Sequence, residues 1–337
     1  MNSRVHDALA RARVWHAYVA FWLVVWILLV TRPGAWLVAL LHWPMALIMI
    51  GGSLVAGSTP MGGGTVSFPA LVLGFQYSPA MARDFGLAIQ SVGMSSALLF
   101  ILVRRIPVEH RLLTWACVGA AAGLTFGTFA LAGRVPADWV KLLFATLWIT
   151  FGAWLATGAA AQDVAGPSMP APGREVVPIG IAVGIVGGAV MSLIGVGPEM
   201  VVYATLVLRF GWHPKAAVPT AVCATALMAP VGLLLRAVTA GVDPAVFPEW
   251  LAAMPIVIFG APAGAYIAAR ISRVLLLRII GALCLIQFAA TVAQVRPSPA
   301  QWAGIAAMGV VSAVGLWLLA PSGRAVAVAS GVTERQV

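Results

Sequence analysis

Ser58-Thr59-Pro60-Met61-Gly62-Gly63-Gly64 breaks one long apolar run, and Gly195-Val196-Gly197-Pro198-Glu199 breaks another. After the first come Ser67-Phe68-Pro69 and a short apolar stretch ending Gly74-Phe75. After the second come Val202-Tyr203 and a stretch ending Phe210-Gly211. Gly62, Phe68, Leu73, Phe75 and Pro79 recur 135 residues later as Gly197, Tyr203, Leu208, Phe210 and Pro214. Farther on, Gly123, Gly127, Lys141 and Phe151 match Gly260, Gly264, Arg278 and Phe288 at a spacing of 137. The change places two extra residues in the second copy, in its Thr239–Glu249 loop. Apolar segments interrupted by Gly and Pro at matching places in two halves point to a transporter's binding site.

The chain is 61% hydrophobic and 9% charged, with a mean hydropathy of +0.99. A soluble domain carries roughly 25% charged residues, so this chain cannot cover a water-facing surface and its partner is the lipid bilayer. Its 337 residues allow about ten segments of about 20 residues plus loops. The expected fold is an all-α polytopic membrane protein of two inverted-topology repeats, each opening with a broken, re-entrant helix hairpin. The net charge of +10 reads as cytoplasmic loop charge. It does not read as a nucleic-acid surface, because no soluble domain exists to present a basic face. Cys117, Cys223 and Cys284 sit inside apolar runs without metal-ligand spacing, and His6, His16, His42, His110 and His213 are scattered. No metal site, cofactor or catalytic residue is expected, and no nucleophile–base pair suggests an enzyme.

The organisation follows from the apolar runs. Residues 1–35 hold an extra N-terminal helix, about Ala8 to Val30, with Thr31-Arg32-Pro33-Gly34 as a turn. No small-x-small cleavage residues follow it, so it reads as a helix that stays. Residues 36–161 form repeat A: one segment from Trp36 to Gly57, the break, a short arm to Phe75, then spans Asp84–Val103, Leu112–Ala132 and Trp139–Ala161. Residues 162–175 form a Gly/Pro/Ser/Asp loop. Residues 176–295 form repeat B, with its break, a short arm Met200–Phe210, and spans Lys215–Val238, Trp250–Ala269 and Val274–Val295. Residues 296–337 supply a last helix, Gln301–Ala320, and a polar tail expected to be disordered.

Charge sets the topology. With the N-terminus inside and each interrupted segment a hairpin returning to its own side, the inside set holds 13 Lys and Arg. These are Arg4, Arg11, Arg13, Arg104, Arg105, Arg111, Arg174, Arg209, Lys215, Arg270, Arg273, Arg324 and Arg335. The outside set is Arg32, Arg83, Arg134 and Arg296. Lys141, Arg236 and Arg278 lie within helices, with Arg236 expected to snorkel near the outer interface. This bias fits the positive-inside rule and puts both termini in the cytoplasm. One hairpin then enters from each face. If the interrupted segments crossed fully, the basic Arg104–Arg111 loop would fall outside.

Irregular backbone at membrane depth survives only where it is buried in protein or lines a cavity. The two breaks should therefore meet inside the protein. A helix restarts after each, at about Gly64 and Glu199, presenting free N–H groups and a partial positive charge. Glycine lets an anion approach the backbone closely. Two such starts around one cavity make an anion site of neutral donors, which permits release as well as binding. The expected site residues are Ser58, Thr59, Gly62, Gly63, Gly64 and Thr65 from the first break, and Gly195, Gly197 and Glu199 from the second. Ser67 adds a further hydroxyl. Gln90 and Thr225, matched at 135, line the cavity from the next helices or bond between helices. Gly119, Gly123, Gly184, Gly187 and Gly188 read instead as close helix crossings. Gly62-Gly63-Gly64 is not a nucleotide loop. An acidic residue at membrane depth costs about 3 kcal/mol, so Glu199 needs a reason: it caps the new helix, or it takes up a proton and couples transport to it.

At these two breaks the chain resembles the sulfite exporter TauE/SafE family, which carries two glycine-rich motifs, each followed by an apolar run and a helix opening in small residues. The first copy here is Thr59 to Pro69 and the second Leu193 to Met200. The resemblance spans roughly Trp36 to Val295. It implies secondary transport, out of the cell across the cytoplasmic membrane, of a small sulfur-containing anion such as sulfite or an organosulfonate like sulfoacetate. Import of sulfite or thiosulfate, and a non-transporting membrane scaffold, are the alternatives. The chain departs from the family pattern at Pro198-Glu199, which replace glycines, and at Tyr203-Ala204, where a proline is expected.

Overall fold

The computed structural model describes residues 2–156, 173–268 and 273–319. The inter-repeat loop at 162–172, the loop around Arg270 and the C-terminal tail lie outside them. Among the described residues the chain is helical throughout, in thirteen α-helices and two π-helical turns. α1 is Asn2–Val30, α2 Ala35–Leu41, α3 Trp43–Ser58, α4 Gly64–Pro69, α5 Pro79–Val103, α6 His110–Ala130 and α7 Ala137–Ala156. α8 is Val176–Ile194, α9 Pro198–Ala204, α10 Pro214–Val238, α11 Val246–Ala268, α12 Arg273–Val295 and α13 Pro299–Leu319.

Among the described residues seven helices are long and apolar enough to cross a membrane, or up to eight if α2 and α3 form one span. This is fewer than the ten segments read from the sequence. The arms after the breaks, Gly64–Gly74 among them, are too short to span. The run from Trp36 to Gly57 is also not one straight segment, because α2 and α3 meet at 63°. Pro44 explains the bend, since it has no N–H to offer the Leu40 carbonyl one turn back. His42 fills the corner, its ring Nδ1 lying 2.8 Å from the Val38 carbonyl oxygen.

The matching positions fold alike. Ala70–Gly74 and Thr205–Arg209 are both π-helical turns, 135 residues apart. Each arm ends at a residue followed by proline that opens the next long helix. Ser78 accepts from the Met81 N–H at the start of α5, and His213 caps α10 through Lys215. Proline suits the first helical turn because its missing N–H has no intrahelical partner there.

The helices pack in exchanged pairs. α3 lies on α11 as α8 lies on α6, and α5 packs on α10 as α7 packs on α12. The α6–α8 crossing brings backbones together: a Cβ at Gly119, Gly123, Gly184 or Gly188 would meet an opposing carbonyl oxygen at 2.0–2.2 Å. The α3–α11 crossing is built the same way. A Cβ at Gly260 would meet Ser53 Oγ at 1.9 Å, and one at Gly264 the Leu54 carbonyl oxygen at 2.3 Å. Gly123 and Gly260 are the pair matched in sequence. In a membrane, where lipid is as apolar as leucine, such close van der Waals packing supplies much of the association. α1 and α13 flank this core, with only 6% of each span buried. Trp15, Tyr18 and Trp26 tie α1 to α5 and α11 through hydrogen bonds to Ser96 Oγ and the Val92 and Leu251 carbonyls.

Candidate substrate site

The two breaks touch. A Cβ at Gly64 would lie 2.4 Å from Val196 Cγ1, and one at Gly62 would lie 2.5 Å from Glu199 Oε1. Each glycine therefore makes room for a side chain of the other break. Gly62, in the left-handed region at φ 67°, turns the first chain; Gly195 at φ 79° caps α8 and turns the second.

Glu199 holds the junction. Its Oε2 accepts from the Thr225 hydroxyl at 2.6 Å and from the Gly197 N–H at 3.2 Å. This joins the second break to mid-α10 and holds the N–H of Gly197, the residue that precedes α9. Its Oε1, against Gly62, has no partner. Gln90 reaches in from mid-α5: Nε2 donates to the Gly86 carbonyl at 2.8 Å and the Gly195 carbonyl at 3.0 Å, while Oε1 is unpartnered. A buried acceptor left without a donor costs about 1–3 kcal/mol, so these two oxygens are the least satisfied atoms of the junction.

The structure therefore brings together Gly62, Gly64, Gln90, Gly195, Gly197, Glu199 and Thr225. Gly63 lies beside them and lines a small cavity with Met49, Ser53, Gln90, Met94 and Val257. Its volume of about 10 Å³ has room for one water molecule, not for an oxyanion.

The hydroxyls differ from the sequence reading. Ser58 and Thr59 both donate to the Val55 carbonyl, and Thr59 Oγ1 also accepts from the Met61 N–H. Thr65 donates to the Met61 carbonyl at 2.7 Å and accepts from Trp148 Nε1 at 2.7 Å. These three are committed to their own backbone or to α7 and offer the junction no free donor. Hydroxyls near helix ends commonly bond back to a carbonyl one turn away, a signal the sequence already held. Ser67 Oγ is buried and unpartnered.

Three features were missed. Trp148 anchors the first break and stacks on Phe144 at 4.4 Å, which stacks on Phe68 at 4.4 Å. Val196 was overlooked between its glycines. Arg83, counted with an outer loop, is 4% exposed. Its guanidinium and that of Arg236 both meet Asp84 Oδ1, at 2.8 and 3.2 Å, and Arg236 also donates to the Gly241 carbonyl. Asp84 beside Arg83 was the available signal.

Each short arm ends in a polar clasp. At the first, Tyr77 donates to Glu249 Oε1 at 2.9 Å, with His42 Nε2 at 3.9 Å from the same oxygen. Burial and the Glu249 carboxylate push the Tyr77 phenol up to about 12, so it remains a donor at physiological pH. At the second, Arg209 pairs with Glu175. Among the described residues no group of three His, Cys, Asp or Glu side chains could hold a metal ion.

A family model, sulfite exporter TauE/SafE, matches residues 45–291, most of the chain and both breaks. The chain belongs to this family of membrane transporters. No curated protein and no solved structure matches it.

Proposed function

We propose that this family member exports a small sulfur-containing anion, sulfite or an organosulfonate such as sulfoacetate, through the junction of its two breaks. The contact of Gly62 and Gly64 with Glu199 and Val196 carries the reading. It puts the two irregular, donor-bearing stretches at one buried place, where such backbone is tolerated around a substrate path. The duplicated π-helical turns and exchanged helix pairs support two repeats, 36–161 and 176–295, in inverted orientation. In this reading the protein sits in the cytoplasmic membrane with both termini inside.

Export needs no coupling in principle, because an inside-negative potential favours anion exit by about 2.3 kcal/mol per charge per 100 mV. The test is flux in proteoliposomes with a panel of sulfite, thiosulfate, sulfoacetate and chloride. The expected result is saturable movement of sulfur oxyanions over chloride, driven outward by an inside-negative potential. Uptake that requires an imposed ion gradient would identify an importer, and no flux of any anion would favour a scaffold. Orientation is tested with an impermeant thiol label on intact cells. Gln76→Cys should label from outside and Gly211→Cys only after permeabilisation; labelling of both from one side would overturn the inverted repeat.

A further inference from the structure

Glu199 Oε1 and Gln90 Oε1 are both buried acceptors without a donor, on residues 1% and 2% exposed. They converge on one spot, since a Cβ at Gly62 would lie 2.5 Å from the first and 3.4 Å from the second. Neither orientation is arbitrary. The Gln90 amide is fixed by the Gly86 and Gly195 carbonyls that its Nε2 serves; turned over, it would set oxygen against oxygen. The Glu199 carboxylate has both its donors, Thr225 and Gly197, on Oε2. A proton on Oε1 would place at this spot the kind of donor that Gln90 Oε1 lacks.

The donors held by Oε2 are those an anion at this junction would use, a backbone N–H beside glycine and a neutral hydroxyl. Because Oε2 already holds both donors, an anion that uses them must displace the carboxylate. We propose that Glu199 is a tethered occupant of the anion site. In this structure its carboxylate holds the Gly197 N–H and Thr225 hydroxyl. On substrate binding it yields them, takes one proton from the water on the side the anion enters, and turns the new O–H toward Gln90. A carboxylate that leaves its donors while still out of water is neutralised in this way. The proposal rests on the reading that the junction carries an anion, and it names Gln90 as the residue that receives the neutral form.

Other ionisable groups around α9 are set apart from this exchange. α3, α4 and α8 carry no charged residue. Those of α5, α6 and α10 lie in their first or last two turns: Arg83, Asp84, His110, Arg111, Lys215 and Arg236; α9 itself carries Tyr203, and Arg209 ends the π-helical turn that follows it. The thiols of Cys117 on α6 and Cys223 on α10 are the remaining titratable groups on these helices. Asp84 and Glu199 are the carboxylates of the set, and Asp84 is paired with two arginines.

The experiment measures anion binding to purified full-length protein by calorimetry in buffers of different ionisation heat. The probes are thiosulfate and methanesulfonate, which stay ionised around neutral pH. Wild type should take up about one proton per anion, with affinity falling about tenfold per pH unit as pH rises. Glu199→Gln has an amide that can accept from Thr225 and Gly197 and donate to Gln90. It should bind without proton uptake and with a flat pH profile. Glu199→Ala, which removes the side chain as Gly64 does at the matching position, should behave likewise. Binding to wild type with no proton uptake, or equal uptake in wild type and variants, would overturn the proposal while leaving the transport reading in place. Absence of binding in wild type and variants would sink the transport reading and this inference together.

Discussion

At matching positions the first break has Gly64 and the second has Glu199, and the two breaks are held differently as a result. The second is bonded inward: Glu199 to Thr225 on α10, and Gln90 on α5 to the Gly195 carbonyl. The first is bonded outward, through Thr65 to Trp148 on α7. Where the second break fills the junction with a carboxylate, the first supplies only the absence of a side chain. The two breaks thus share a backbone path, π-helical turn included, while the chemistry on the two sides differs. One break is a fitted partner and the other a space that admits it.

The strongest way to break this comparison is to give both sides a methyl group. A Cβ at Gly197 would lie 2.4 Å from the Gly187 carbonyl oxygen, which is backbone and cannot swing away, whereas one at Gly63 meets nothing closer than Ala56 Cβ at 3.5 Å. Gly197→Ala should therefore cost about 3 kcal/mol or more, seen as a large fall in melting temperature and yield. Gly63→Ala should fold at near wild-type stability, because its methyl makes only ordinary contacts. Equal melting temperatures for the two would refute the asymmetry.

A smaller effect sharpens it. Thr225→Val removes a hydrogen bond to the buried Glu199 carboxyl, worth about 1.5–3 kcal/mol if charged. Trp148→Phe keeps the aromatic stack and loses one neutral bond to Thr65, worth about 1 kcal/mol. Denaturant or thermal titration should rank Thr225→Val as the more damaging; the reverse order would mean that the first break is the better anchored. The smallest effect is at the second clasp. Arg209 and Glu175 are 30% and 46% exposed, so Arg209→Gln should cost under about 1 kcal/mol and less still at high salt.

The breaks were legible in the sequence because glycine and proline mark irregular backbone wherever it occurs, and the 135-residue spacing identified the same event twice. Glu199 was legible because a carboxyl inside an apolar run is costly. The helix crossings were legible as well, since Gly123 and Gly260 sit where backbones must approach. What escaped depended on three-dimensional neighbours. Nothing near Trp148 in sequence says that its N–H reaches Thr65, 83 residues away. Nothing near Val196 says that it fills the space above Gly64. The bend at His42 was hidden by an unbroken apolar run, although Pro44 was in view. The pairing of Arg83 with Asp84 and of Asp84 with Arg236 likewise depends on α10 lying beside α5, although Asp84 is adjacent in sequence.

The central claim is that both breaks line one anion site. Gly63 and Val196 can each be changed to cysteine in protein whose three native cysteines are replaced by alanine. The rate of modification by a small thiol reagent is then measured with and without thiosulfate, in reconstituted membranes. The account predicts that thiosulfate slows modification at both positions with the same half-saturating concentration. Protection at one position only, or modification at both that proceeds at the same rate with and without thiosulfate, would contradict it.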